Sequence, residues 1–166
     1  MKNVILLAMG LCLMALMVMP VQAFTMNSLS ITIARNGDAQ VDVRYDLTFV
    51  EQSAVFLRIA DPARELQSAF ASSSSQPVAV SQATSSSARL NIPSYAAVSA
   101  KDGLTTMTTP SMSFERAQAV LNRYWFAPLV SPDFSPAVTT VTFPDGYQER
   151  FEDRITIPPI AHTVSS

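Results

Sequence analysis

Two runs of strict alternation flank an Asn-Gly pair, and no other feature restricts the fold of this chain so tightly. Leu29, Ile31 and Ile33 alternate with small polar residues. After Arg35-Asn36-Gly37-Asp38, the residues Val41, Val43, Tyr45, Leu47 and Phe49 alternate with Gln40, Asp42, Arg44, Asp46 and Thr48. Successive side chains of a strand point to opposite faces, so each run presents one apolar and one polar face. Asn-Gly tolerates the positive φ angles of a type I′ turn, which joins the two runs into a β-hairpin with one buried side.

Beyond Glu51 the period changes. Phe56, Ile59, Ala63, Leu66 and Phe70 recur at spacings of three and four, the stripe of a helix. Asp61 suits an N-cap and Pro62 a first helical turn, so a helix is expected from Pro62, after a shorter helical or strand-like piece over residues 53–60. Ser-rich stretches at 72–75 and 85–87 flank Val78-Ala79-Val80, and residues 89–92 alternate again, which reads as turns around short strands.

Residues 95–99 and 104–108 form a further pair of strands around Lys101-Asp102-Gly103, where Gly supplies the difficult backbone angle. Phe114, Ala117, Leu121 and Tyr124 return to helical spacing, and that second helix should stop before Pro128. Pro128, Pro132 and Pro136 punctuate a loop. Residues 138–143 and 148–157 then close a last hairpin through Pro144-Asp145-Gly146-Tyr147. Together these elements predict an α+β domain: an antiparallel sheet built from three hairpins, with two helices packed on one face.

The chain opens with Lys2, an apolar run over residues 4–19, and Pro20-Val21-Gln22-Ala23, the three parts of a secretory signal peptide. Cleavage is expected after Ala23, which divides the chain into a signal, residues 1–23, and a single exported α+β domain, residues 24–166. The competing reading is an uncleaved membrane anchor. The run is slightly long for a signal and short for a comfortable span. Either way the domain lies across the cytoplasmic membrane, secreted or associated with the cell envelope.

Cys12 is the only cysteine and falls within the apolar run. The mature domain therefore has no disulfide, thiolate ligand or cysteine nucleophile. Charged residues make up 14% of the chain and the net charge is −2, which excludes the clustered basic surface that nucleic acid requires.

His162, the only histidine, sits in the tail after Pro158-Pro159 with no sequence neighbour to orient it, and reads as a solvated bystander. The tail beyond Pro159 is expected to be dispensable. Glu149, Arg150, Glu152, Asp153 and Arg154 form the densest charge cluster, a solvated ladder on a strand. Its parity is irregular: Glu149 and Asp153 share the face of Phe151 and Ile155, which calls for a sheet margin, a bulge or a partly buried carboxylate.

Asp133, Asp145, Glu149 and Asp153 are the candidate carboxylates for acid/base hydrolysis, if the fold brings two of them together. No nucleophile elbow, phosphate cradle or histidine metal spacing occurs, and no cofactor or metal is expected. Tyr124, Trp125 and Phe126 form the one aromatic concentration. With Phe134 they are the candidate binding residues, lining an apolar groove beside the proline-rich loop.

The functional expectation is thus an exported, non-catalytic envelope or extracellular domain that binds a protein partner or an apolar ligand. The alternative is a small secreted carboxylate-dependent hydrolase. Contact with membrane is expected only through an uncleaved signal.

Overall fold

In the computed structural model, which describes residues 25–46, 67, 78–123 and 133–165, the alternation around Asn36-Gly37 becomes the centre of a sheet. Strand β1 (Thr25–Ile33) pairs antiparallel with β2 (Ala39–Asp46), placing Leu29 opposite Val43 and Ile31 opposite Val41. All four of these side chains are buried, whereas Gln40 and Arg44 face outward, as period-2 parity demands.

The turn differs from the expected one. Only Gly37 has positive φ, and Ala34 both donates to Asp38 O (2.8 Å) and accepts from Gly37 N (2.9 Å). This is a three-residue loop, a type I turn closed by a left-handed glycine. The same design recurs at Pro144-Asp145-Gly146, where Phe143 bonds Tyr147 and Gly146 in the same pattern. A two-residue type I′ turn does occur, at Asp102-Gly103, where both residues have positive φ.

The main sheet runs in the order β3-β4-β2-β1-β8-β9. Here β3 is Ala79–Ala83, β4 is Ser87–Ile92, β8 is Val138–Thr142 and β9 is Gln148–Glu152. Every pairing is antiparallel except β1 with β8, which run parallel from Ser28↔Val138 to Thr32↔Thr142. The hairpin tips at Gly37 and Gly146 therefore project from the same end of the sheet.

A second sheet, in the order β11-β6-β5, comprises β5 (Ala97–Lys101), β6 (Leu104–Thr108) and β11 (Ala161–Ser165). It meets both tips. Ser94 N and Ala96 N donate to Asp38 Oδ1 and Gly37 O, each at 2.8 Å, while His162 on β11 contacts the other tip.

The smallest sheet pairs β7 (Met112–Ser113) with β10 (Thr156–Ile157). Its register continues that of β6 with β11: Ala161 faces Thr108, and Ile157, four residues back, faces Met112, four residues on. Residues 104–113 and 156–165 thus form one antiparallel ribbon, with the Thr109 N to Ile160 O bond (2.9 Å) in step between the two halves. Pro110, Pro158 and Pro159 have no N–H to give at the break, so the ladder lapses there and resumes beyond it.

The α+β expectation is overturned. The described residues are mostly strand, in three sheets, with one helix of seven residues, α1 (Glu115–Leu121). The ribbon supplies apolar side chains where two helices were expected: Met107, Met112, Ile157 and Ile160 join Leu29, Ile31, Val41, Val43, Leu90 and Phe143 in one buried cluster. Each such side chain contributes about 1.5–3 kcal/mol by leaving water. The expected helix from Pro62 lies outside the described residues except for Gln67, which is helical and donates from Nε2 to Val78 O at 2.7 Å. The second expected helix forms over Glu115–Leu121, with residues 122 and 123 in a turn and Tyr124 outside the described residues.

The dispensable tail is also a misreading. Residues 161–165 are strand β11, paired with β6 along its whole length. On β9 the irregular parity resolves at the sheet margin: β9 is an edge strand, Glu149 and Phe151 are half-buried, and Asp153 leaves the strand at φ 50° with its side chain exposed.

Candidate interaction site

Of the four residues assigned to an apolar groove, Tyr124, Trp125 and Phe126 lie outside the described residues. Phe134 is 4% exposed within the main cluster, and its N–H donates to Gln118 Oε1 at 2.8 Å. It packs as core, not as the movable wall of an open groove.

His162 is not a bystander. Its Nε2 lies 2.7 Å from Asp145 Oδ2, its ring stacks on Tyr147 (centroids 4.2 Å apart, planes at 9°), and Phe143 abuts it at 5.0 Å. Asp145 Oδ1 also accepts from Tyr147 N at 3.1 Å. The hydrogen bond from His162 leads the causes that hold the Asp145 carboxyl below its ordinary range. Chain order concealed this pair, since Asp145 sits at one hairpin tip and His162 reaches it across the second sheet.

A histidine oriented by a carboxylate can serve as a general base, but it needs a nucleophile in reach. The nearest ladder hydroxyls, Thr106 and Thr163, bond each other at 2.8 Å, and cross-strand parity puts them on the face opposite His162. Among the described residues the arrangement joins the second sheet to the main one.

The four candidate carboxylates do not converge either. Asp145 is at the tip of the β8–β9 hairpin, Asp153 at its base beside Ala137, Asp133 is bridged to Thr25, and Glu149 is within β9. Among the described residues no three His, Cys, Asp or Glu side chains gather as a metal site would require, and no helix is long and apolar enough to cross a membrane. A depression of about 440 Å³ lies at the ends of β1, β2 and β4, lined by Ile33, Ile92, Pro93 and the exposed Gln40 and Asn91. Its acidic group, Asp38, already accepts from Ser94 N and Asn36 Nδ2.

Compared with protein families, with curated proteins and with solved structures, the chain matches none.

What remains among the described residues is a sheet edge. An edge strand offers unpaired main-chain groups to any extended chain, and proteins ordinarily blunt such edges with charge, bulges or cover. Strand β3 is bulged between Val80 and Gln82, and β9 carries Glu149, Arg150 and Glu152. Strand β11 is half-covered through His162. By contrast β5, Ala-Val-Ser-Ala-Lys, is exposed at all five residues, has no bulge against β6, and bears no charge before Lys101.

The direction of its main-chain groups follows from register. Lys101 and Leu104 flank the two-residue turn and form a hydrogen-bonded pair, so bonded and non-bonded pairs alternate along the hairpin. Ser99 and Ala97 bond β6, which leaves the N–H and C=O of Val98 and Ala100 pointing away from it. Ala96, two residues before Val98, has the same parity, and its N–H does point away from β6, to Gly37 O. Val98 is also 43% exposed and Leu104 51%, among the few large apolar side chains in water.

Proposed function

We propose that this chain is an exported, non-catalytic domain that binds a protein partner by main-chain pairing at the β5 edge. The observation that carries the reading is the open pair of residues, Val98 and Ala100, on a strand without the devices that blunt β3 and β9. Strand addition draws affinity from backbone hydrogen bonds and specificity from alternate side chains, and so needs no pocket and no polar machinery. Export to the envelope or beyond is supported by Lys2, the apolar run over residues 4–19 and the Val21-Gln22-Ala23 exit. N-terminal sequencing of secreted material is expected to read from Phe24, and a retained Met1 on membranes would replace export of a free domain by anchoring.

The binding mode is tested with a displayed library of random extended peptides selected on the immobilised protein. The selected peptides are expected to be rich in alternating β-branched residues and to lose binding to an Ala100→Pro variant. That change removes an outward N–H and no ladder bond to β6, so the circular dichroism spectrum should stay unchanged. Peptides that bind the variant as well as the parent would overturn edge pairing.

A further inference from the structure

We propose that Asn36 is a modification site, where the side-chain amide is lost as ammonia to leave aspartate or isoaspartate, and that the seating of its turn against the second sheet controls the rate. The proposal stands on the turn alone and not on what binds β5. Asn-Gly occurs once in the chain, and Asn36 is exposed to water. In an open chain the Gly37 nitrogen can attack Asn36 Cγ, because glycine has no side chain to obstruct the approach and takes up most backbone angles. Gly37 N gives its proton to a base, the N–Cγ bond forms, and the Cγ–Nδ2 bond breaks as Nδ2 takes a proton back and leaves as ammonia. Water then cleaves one of the two C–N bonds of the ring. Cleavage at Cγ leaves aspartate, and cleavage at the main-chain carbonyl leaves isoaspartate.

The folded turn holds the reacting atoms apart. Gly37 N donates to Ala34 O at 2.9 Å. One residue grips both ends of the Asn36 amide: Nδ2 donates to Asp38 Oδ2 at 2.7 Å, and Oδ1 accepts from Asp38 N at 3.1 Å. Asp38 is fixed in its turn, since its Oδ1 accepts from Ser94 N at 2.8 Å. A type I turn sets ψ of Asn36 near 0°, roughly a third of a rotation from the eclipsed position in which Gly37 N meets Cγ. Swinging the peptide that far breaks the bond to Ala34 and drags Gly37 off Ala96. Ala96 N donates to Gly37 O at 2.8 Å, and the Ala96 carbonyl oxygen fills the space that a Cβ on Gly37 would take. The joined sheets therefore suppress the reaction, and any state in which this turn leaves Ala96 lets it run.

The product cannot resume that seat. A carboxylate replaces the Nδ2 donor, so two carboxylates stand where a hydrogen bond was and repel each other. Isoaspartate also routes the main chain through Cβ, which adds an atom to a three-residue loop closed by Ala34 N to Asp38 O and docked by Ala96 N to Gly37 O. Modification is thus self-reinforcing. Loosened protein is altered, and altered protein stays loosened.

The test follows the parent's own amide, so it needs no variant to fold. Parent protein is held in mildly alkaline buffer, with and without unfolding guanidinium chloride, and sampled into an acid pepsin digest. Chromatography with mass spectrometry separates the asparagine, aspartate and isoaspartate forms of the turn peptide. Loss of Asn36 is expected to be about tenfold or more slower in the folded protein, as for a group released only by local opening. Asp38→Ala, shown to be folded by circular dichroism, should react faster than the folded parent, and Asn36→Asp should melt below it. Equal loss with and without guanidinium, or an intact Asn36 in the unfolded chain, would overturn the proposal. Folded Asp38→Ala protein that reacts no faster than the folded parent, or Asn36→Asp protein that melts with it, would overturn control by the seated turn.

Discussion

Replacing Gly37 by alanine probes the junction between the two larger sheets, and its cost can be worked from local geometry. Gly37 has φ +87°, and a Cβ there would lie 2.4 Å from the Ala96 carbonyl oxygen and 3.0 Å from Val98 Cγ2. The backbone angle alone costs an L-residue about 1–2 kcal/mol, partly offset by about 0.4–1 kcal/mol through stiffening of the unfolded chain. The clash is with main chain, which cannot swing aside as a flexible side chain would. Relief requires the turn to withdraw and the 2.8 Å Ala96 N to Gly37 O bond to open beside buried Ala96, a loss of about 1–3 kcal/mol.

The sum is about 3 kcal/mol. Gly146→Ala is the internal control: φ is +88° in the same kind of loop, but nothing lies within 4 Å of the added Cβ, so only the backbone part, about 1 kcal/mol, is expected. Urea unfolding of both variants should show a gap of about 2 kcal/mol, or about 4–8 °C in melting temperature for a chain of this size. Losses equal within about 0.5 kcal/mol would refute the idea that the Gly37 turn is seated against β5.

Other perturbations bear on separate elements. Asp145 has its carboxyl lowered from 3.8 through His162, so it stabilises the fold above the ordinary carboxylate range and that contribution disappears as pH falls through the depressed value; the gap in urea midpoint between parent and Asp145→Asn should be present at pH 5 and close on acidification below about pH 4. Truncation after Ile160 removes β11 and the His162 contact together, and thermal melting should drop by many degrees, whereas an unchanged midpoint would mean that β11 contributes nothing. Thr139 Oγ1 is buried without a hydrogen-bond partner among the described residues, so isosteric Thr139→Val is expected to raise unfolding free energy by about 1–2 kcal/mol in urea titration. Phe134→Ala should cost about 3–5 kcal/mol by the same titration, as for a buried phenylalanine.

Period-2 alternation and turn chemistry were readable wherever they were local. The Leu29 to Tyr45 hairpin, the strands around Thr84 to Ser87, the Asp102-Gly103 turn and the Asp145-Gly146 turn all follow from neighbours in the chain. Pairings between distant residues were not. The parallel contact of β1 with β8 leaves no periodic trace, and the ribbon of residues 104–113 with 156–165 was hidden because Pro110, Pro158 and Pro159 punctuate it like a loop. The stripe from Phe114 runs past the helix, which ends at Leu121 with residues 122 and 123 in a turn.

At the candidate site, His162 was misjudged for the same reason: its partner is seventeen residues away and on another sheet. The β5 edge carries a faint local signal in its want of charge. Its openness is decided by which strands fail to cover it, and no single segment encodes that.

The parallel alignment of β1 with β8 also governs the order of events during synthesis. The sheet's first strand, β1, finds its second neighbour only when Val138 has been made, so Ser28 must wait for a segment near the far end of the chain. Contacts of such sequence separation raise contact order and slow folding, because the loop must close before any pairing rewards it. Among the described strands, a nascent chain with only its first half made can form the β1–β2 hairpin but not a finished sheet. Under the export proposed above, that lateness would keep the polypeptide slack until the carboxyl-terminal strands arrive on the far side.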